Sequence, residues 1–210
     1  MQPRITGLEP DPARPDAVRV VVNGKIFCTV PAATVATHGL AIGQPADGEF
    51  RDRTDRAADI EAAWRTLLRS LERRSFARHD LGRRLIRKGH PPEAVEAALT
   101  RADDAGLLDD AAFARQFVQS RAERGRGPAR LTRDLQAMGI PRGLIDDAVR
   151  ARWPEPADTT VSAEQVATRR AAQLKNLPPD VRRRRLLAYL GRRGFSGSAV
   201  SDIVRRLTRT

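Results

Sequence analysis

Three glycines, Gly89, Gly139 and Gly194, carry the same frame of aliphatic residues, and that frame decides most of what the chain can become. Four residues before each stands Leu85, Leu135 or Leu190, and eight before stands Leu81, Leu131 or Leu186. Six residues after each stands Val95, Ile145 or Val200, and ten after stands Leu99, Val149 or Val204. Positions four apart share a helix face. Each glycine therefore joins two amphipathic helices and occupies the position just past the end of the first, where a left-handed backbone is needed. Pro91-Pro92, Pro141 and Ser196 mark the start of the second helix. The glycines recur at intervals of 50 and 55 residues, which makes a tandem array of small helical units.

A helix before each pair completes the unit. Trp64, Leu67, Leu68 and Leu71 give the stripe of the first, Phe113, Phe117 and Val118 that of the second, and Val166, Arg170 and Leu174 a weaker third. Residues 57–103, 104–153 and 159–210 are thus expected to be three three-helix repeats. The run from Trp153 to Asp158 breaks the helical period, and Ser162 with Gln165 reads as a capping box that restarts it. Residues 1–56 differ. Val18 to Val22 and Lys25 to Val30 flank Asn23-Gly24, a type I′ hairpin signal, and a short helix follows Pro31 as far as Val35, with Gly39 as its cap. Leu40 to Gln44 is a candidate third strand, and the mixed charges of 51–57 suit a linker or the start of a long helix. The expected fold is mainly α: three three-helix units in tandem behind a small segment containing a β-hairpin.

Composition then narrows the function. Cys28 is the only cysteine, so no internal disulfide and no cysteine-based zinc site can form. No run of about eighteen apolar residues offers a membrane span, and the N-terminus lacks a signal pattern. A monomer in the cytoplasm, with no cofactor, is expected. The net charge of +12 calls for an acidic partner. Its distribution is uneven: residues 1–56 and 104–158 are neutral, 57–103 carry +3 and 159–210 carry +9.

Few residues point to bond-making chemistry. Asp103-Asp104 and Asp109-Asp110 lack a histidine or further carboxylate at ligand spacing, so helix capping by Asp109 or Asp110 accounts for the latter pair better than a metal does. Asp146-Asp147 suits a solvated helix face. His38, His79 and His90 have no partner serine or cysteine, and no phosphate-binding P-loop is present. The chain reads as a non-enzyme. Arg124-Gly125-Arg126-Gly127-Pro128 is an interhelix turn whose arginines, with Arg130 beyond it, can meet a phosphate or carboxylate. Arg182 to Arg185 ring a helix. Arg183 extends the stripe of Leu186 and Leu190 and is expected to lay its stem along the core, leaving Arg182, Arg184 and Arg185 outward. Arg192, Arg193, Arg205 and Arg206 add to this basic face. These ten arginines outside the stripe are the candidate contacts to a partner or to DNA.

Gly106-Leu107-Leu108-Asp109-Asp110, Phe113-Ala114, Phe117-Val118, Arg121, Gly125, Gly127-Pro128, Arg130-Leu131, Leu135 and Gly139-Ile140 resemble the central signature of the RecX regulatory proteins. The hairpin and the tandem three-helix units agree with that family. Two departures stand out: Ser75 to Leu81, where the family often has Tyr-Ser and Glu, and Arg170 at an expected apolar position. The resemblance implies a modulator of the RecA recombinase that binds the groove of the RecA filament on single-stranded DNA. Such proteins inhibit its ATPase, strand exchange and coprotease activities and favour disassembly, in DNA repair, recombination and the SOS response. Scarce aromatics in the last unit, Tyr189 and Phe195 alone, disfavour base stacking. A free-standing DNA-binding module is the alternative, since helix pairs joined by a glycine turn also resemble helix-turn-helix elements. A carboxylate-metal nuclease is more distant.

Overall fold

The computed structural model describes residues 2–209. Three antiparallel strands, β1 (Ile5–Asp11), β2 (Arg14–Val22) and β3 (Lys25–Pro31), form a sheet in the order β1-β2-β3. Asn23 and Gly24 turn the β2–β3 hairpin with φ of 48° and 76°, the two positive values that a type I′ turn demands. The third strand is β1, not residues 40–44. That segment only flanks the sheet, where Gly43 N–H donates to Ile5 O at 2.8 Å and Ile5 N–H to Gln44 O at 2.9 Å. It lacks the alternation of a paired strand, and Ile42 lies exposed. β1 was hidden because Pro10 and Gly7 interrupt its pattern; the register shifts beside both. A short helix, α1 (Ala32–Thr37), leaves the sheet at Pro31.

Among the described residues nine longer helices follow: α2 (Gly48–Leu71), α3 (Arg78–Arg87), α4 (Pro92–Asp104), α5 (Asp110–Glu123), α6 (Pro128–Ala137), α7 (Arg142–Arg152), α8 (Pro156–Gln173), α9 (Pro179–Arg193) and α10 (Ser198–Thr208). Residues 51–57 belong to α2, which Asp47 caps by accepting from Phe50 N–H at 2.8 Å. Its first turns bury Phe50 against Ile5, Val20 and Val30 of the sheet, while Ala63, Trp64 and Leu67 pack with α3 and α4.

The chain divides into two compact units. One comprises residues 1–76 and 80–108, with the sheet, α2 and α4 around two aliphatic clusters. The other comprises residues 77–79 and 109–210. In it α5, α6 and α7 enclose Val118, Leu131, Leu135 and Ile145, and α8, α9 and α10 enclose Ala163, Leu186, Leu190 and Val204. The twelve framing aliphatics are buried except Val149, which is half-buried beside buried Ala148.

The glycines behave alike. Gly89, Gly139 and Gly194 have φ of 89°, 82° and 92°. After each, the next residue sends its N–H back to the framing leucine: His90 to Leu85 O at 3.3 Å, Ile140 to Leu135 O at 3.2 Å, Phe195 to Leu190 O at 3.0 Å. This is the Schellman closure, which satisfies a carbonyl that the helix end would otherwise orphan. Gly139 and Gly194 have a second duty: a Cβ on Gly139 would run into the ring of His79, and one on Gly194 into the backbone of Arg130. Gly89 faces open space.

Capping explains the acidic pair. Asp109 accepts from Ala112 N–H at 2.8 Å and caps α5, whereas Asp110 accepts from Arg78 N–H at 2.9 Å and caps α3. Asp146 and Asp147 pair with Arg142 and Arg150 on an exposed face. The restart after Trp153 differs from expectation. α8 begins at Pro156, with Asp158 accepting from Glu155 N–H at 3.0 Å, and Ser162 Oγ instead accepts from the Trp153 indole at 3.0 Å. The α8 stripe is Ala163, Val166, Ala167 and Leu174. Arg170 lies beside it, half-buried, with its guanidinium 5.2 Å from the Tyr189 ring centre.

Gly194→Ala and Gly139→Ala should each lower stability by about 2–4 kcal/mol, combining a left-handed alanine with overpacking. Gly191→Ala, at an exposed site in α9 with nothing within 4 Å, should be neutral or raise the melting temperature. Thermal melts of the three variants check this. His90 supplies a pH test. Its Nε2 lies 3.1 Å from Thr66 Oγ1, and burial, with the charge of Lys88 adding to it, holds its pKa below the ordinary 6.5. The unfolded chain then takes up the proton first as pH falls, so stability is full above the ordinary value and declines as pH drops through it. His90→Gln should flatten that decline in denaturant titrations between neutral pH and about pH 5.

Candidate anion-binding interface

The turn between α5 and α6 meets the end of α9. Gly127 N–H donates to Arg193 O at 2.7 Å, and Gly127 approaches so closely that a Cβ there would lie 2.6 Å from Gly194 O. No side chain fits between these backbones. Arg193 reaches back, donating from Nη1 to Arg124 O at 2.7 Å, and its guanidinium sits 5.1 Å from the Tyr189 ring centre.

This junction forms a cleft of about 280 Å³ lined by Arg126, Arg130, Tyr189, Arg192 and Arg193. Asp134, one turn along α6, receives Arg126 Nη1 at 2.7 Å and Arg130 Nε at 2.9 Å. One carboxylate thus aligns two guanidinium groups but neutralises only one charge. The cleft retains a surplus of three positive charges among four arginines, and Arg192 makes no ion pair among the described residues. Guanidinium forks held in place suit phosphate or carboxylate oxygens.

Of the ten arginines singled out in the sequence, Arg126, Arg130, Arg192 and Arg193 line this cleft, and Arg124 contributes its carbonyl at the rim. The others lie elsewhere. Arg184 and Arg185 are exposed, Arg205 pairs with Asp202 at 3.1 Å, and Arg206 pairs with Glu164. Arg182 corrects the expectation. It is half-buried, donates to Thr208 O at 3.0 Å and so closes the end of α10, while Arg183 is the exposed one. The row Leu190, Leu186, Arg182 runs in steps of four, and that row points inward.

Sequence reasoning missed Tyr189 and Asp134 as parts of the cleft. Tyr189 is one residue before a framing leucine, and Asp134 lies four after Arg130 on α6 and eight after Arg126. The Arg130–Asp134 spacing was legible as an i,i+4 ion pair.

Asp134→Asn should release Arg126 and Arg130, tightening oligonucleotide binding severalfold and steepening its salt dependence. The stability cost should stay near 1 kcal/mol. Fluorescence anisotropy at two salt concentrations, with a thermal melt, checks both parts.

Among the described residues no helix is long and apolar enough to cross a membrane, and no group of three or more potential metal ligands occurs. Residues 109–149 match the family model for the second three-helix domain of RecX, and residues 160–204 match that for the third. The regulatory protein RecX of Halorhodospira halophila is 36% identical over 148 residues, covering 70% of this chain and 89% of that protein. That of Thermobifida fusca is 40% identical over 150 residues, covering 70% and 80%. A crystal structure of regulatory protein RecX superposes with a TM-score of 0.78 at 22% identity over 98% of both chains. RecX from Lactobacillus salivarius superposes with a TM-score of 0.60 at 17% identity, covering 71% of this chain and 96% of that one. The structural likenesses are likenesses of fold, and with the sequence matches they lead to one conclusion: this chain belongs to the RecX family of regulatory proteins.

Proposed function

We propose that the chain regulates a RecA recombinase by binding the groove of its filament on single-stranded DNA. It inhibits ATP hydrolysis, strand exchange and coprotease activity there, and it favours filament disassembly in the cytoplasm, acting as a monomer without catalysis of its own. The observation that supports this reading is the arginine cleft between the second and third three-helix units. It presents four guanidinium groups, and no histidine, serine or cysteine is in its lining, which suits attachment to an acidic surface rather than turnover. Exposed Arg184 and Arg185 extend the basic surface of the last unit. Contacts of this kind are individually weak, and they add when the partner is a polymer that offers many of them.

The alternative is a free-standing DNA-binding module, acting through the same arginines. ATP hydrolysis by the cognate RecA on single-stranded DNA, titrated with this chain up to equimolar, separates the two. Inhibition at amounts too small to coat the DNA supports the regulator. Unchanged hydrolysis with tight, salt-sensitive binding to bare DNA supports the module. Replacing Arg184, Arg185 and Arg192 by Ala should weaken inhibition about tenfold or more with little change in melting temperature. Arg182→Ala should instead lower the melting temperature, because its guanidinium closes α10.

A further inference from the structure

A second basic cavity lies in the first compact unit, far along the sequence from the arginines discussed so far. It encloses about 310 Å³ and is lined by Arg69, Ser70, Arg73, Arg74, Phe76, Arg84 and Lys88. Arg69 belongs to the last turn of α2, Arg84 to the last turn of α3, and Lys88 directly follows α3. One or two cations at a helix C-terminus ordinarily answer its own carbonyls. Here two helix ends and the turn between them deliver five cations to one cavity, and among the described residues no carboxylate lines it.

None of the five pairs with a carboxylate among the described residues, although Arg14, Arg19, Arg101, Arg126, Arg130 and Arg142 all do so elsewhere. Two of the guanidinium groups are already oriented. Arg74 sits 3.7 Å from the Phe76 ring centre and Arg84 5.7 Å from it. Arg84 Nε is buried with no hydrogen-bond partner among the described residues; Arg152, Arg170 and Arg182 share that state, but of the four only Arg84 lines this cavity. Such a group costs free energy unless something arrives to accept from it. Ser70 Oγ donates to Thr66 O at 2.8 Å, so its proton is committed.

The missing component is an anion rich in acceptors. A peptide carboxylate would bring backbone N–H groups, and the cavity offers almost nothing to accept from them. A nucleobase would need a stacking face or a pattern of acceptors. Phe76 is 5% exposed beneath Arg74, and Ser70 is the one neutral polar side chain in the lining. A phosphodiester strand asks only for donors and positive charge, and its bases can point away. We propose that this cavity binds the phosphate backbone of a nucleic-acid strand, independently of base sequence, through Arg69, Arg73, Arg74, Arg84 and Lys88.

The assignment does not depend on the regulatory reading and is tested without RecA. The full chain is titrated with a fluorescein-labelled oligothymidylate, and affinity is read by anisotropy at several salt concentrations. Arg73→Glu with Lys88→Glu should weaken binding about tenfold or more and lower the salt slope by about 1.4, the value for two single-strand phosphate contacts. Arg53→Glu with Arg87→Glu makes the same change of net charge at exposed positions outside the cavity and should have a much smaller effect. Nitrogen-proton correlation spectra give a local reading. The Arg84 Nε–H signal, identified by its loss in Arg84→Lys, should shift on adding the oligothymidylate and stay in place with an oligoglutamate of equal charge. Equal weakening by the two pairs, an unmoved Arg84 signal, or an equal response to oligoglutamate would each overturn the proposal.

Discussion

The hydrogen bond from the residue after each anchor glycine to the carbonyl of a framing leucine organises both the interior and the exterior of the repeats. The leucine that accepts it, Leu85, Leu135 or Leu190, also fills the core, so one residue closes a helix and packs it. The closure requires a left-handed backbone, and glycine adopts that at no steric cost. Having no side chain, the same glycine leaves room outside the helix. At Gly139 and Gly194 that room is occupied by His79 and by the Arg130 backbone. At Gly89 it is empty.

Electrostatics divides the arginines into two populations. One is consumed by structure: Arg182 closes α10, Arg193 holds the α5–α6 turn, and Arg126 and Arg130 share Asp134. The other, including Arg73, Arg184, Arg185 and Arg192, makes no ion pair among the described residues, and with the charge left over in the cleft it carries the surplus that an acidic partner would neutralise. A high count of arginines alone does not separate these roles. Distance to a carboxylate or a helix-end carbonyl does.

Much of the architecture was legible because its determinants are local and periodic. The Asn23-Gly24 hairpin, the glycine-framed helix pairs and the capping by Asp109 follow from steric rules acting over a few residues. β1 was not legible, since strand pairing with β2 compensates for Pro10 and for the bulge near Gly7, and pairing is not local. The α8 boundary was misplaced because Ser162 fits a cap by type, yet tertiary contact gives it to Trp153. The same limit applies to the cleft. Its arginines stood out in the sequence, and Asp134 joins Arg130 by a local i,i+4 spacing, but Tyr189 joins them only through the approach of Gly127 to Gly194. The cavity beneath Arg74 was equally hidden, because α2 and α3 bring its cations together from positions up to nineteen residues apart.

The approach of Gly127 to Gly194 has one more consequence. The join there is made by main-chain atoms and by the absence of side chains, with the Arg193 guanidinium holding the Arg124 carbonyl beside it, so it places little demand on Arg192. That residue is free to drift. Exchanging Arg192 for another cation, or for a neutral group, would retune the surface without loosening the join, whereas a single methyl group at either glycine would disturb it. A scaffold of this kind lets surface charge be rewritten alone, with the join between the second and third three-helix units held constant by two residues that have nothing to mutate except their smallness.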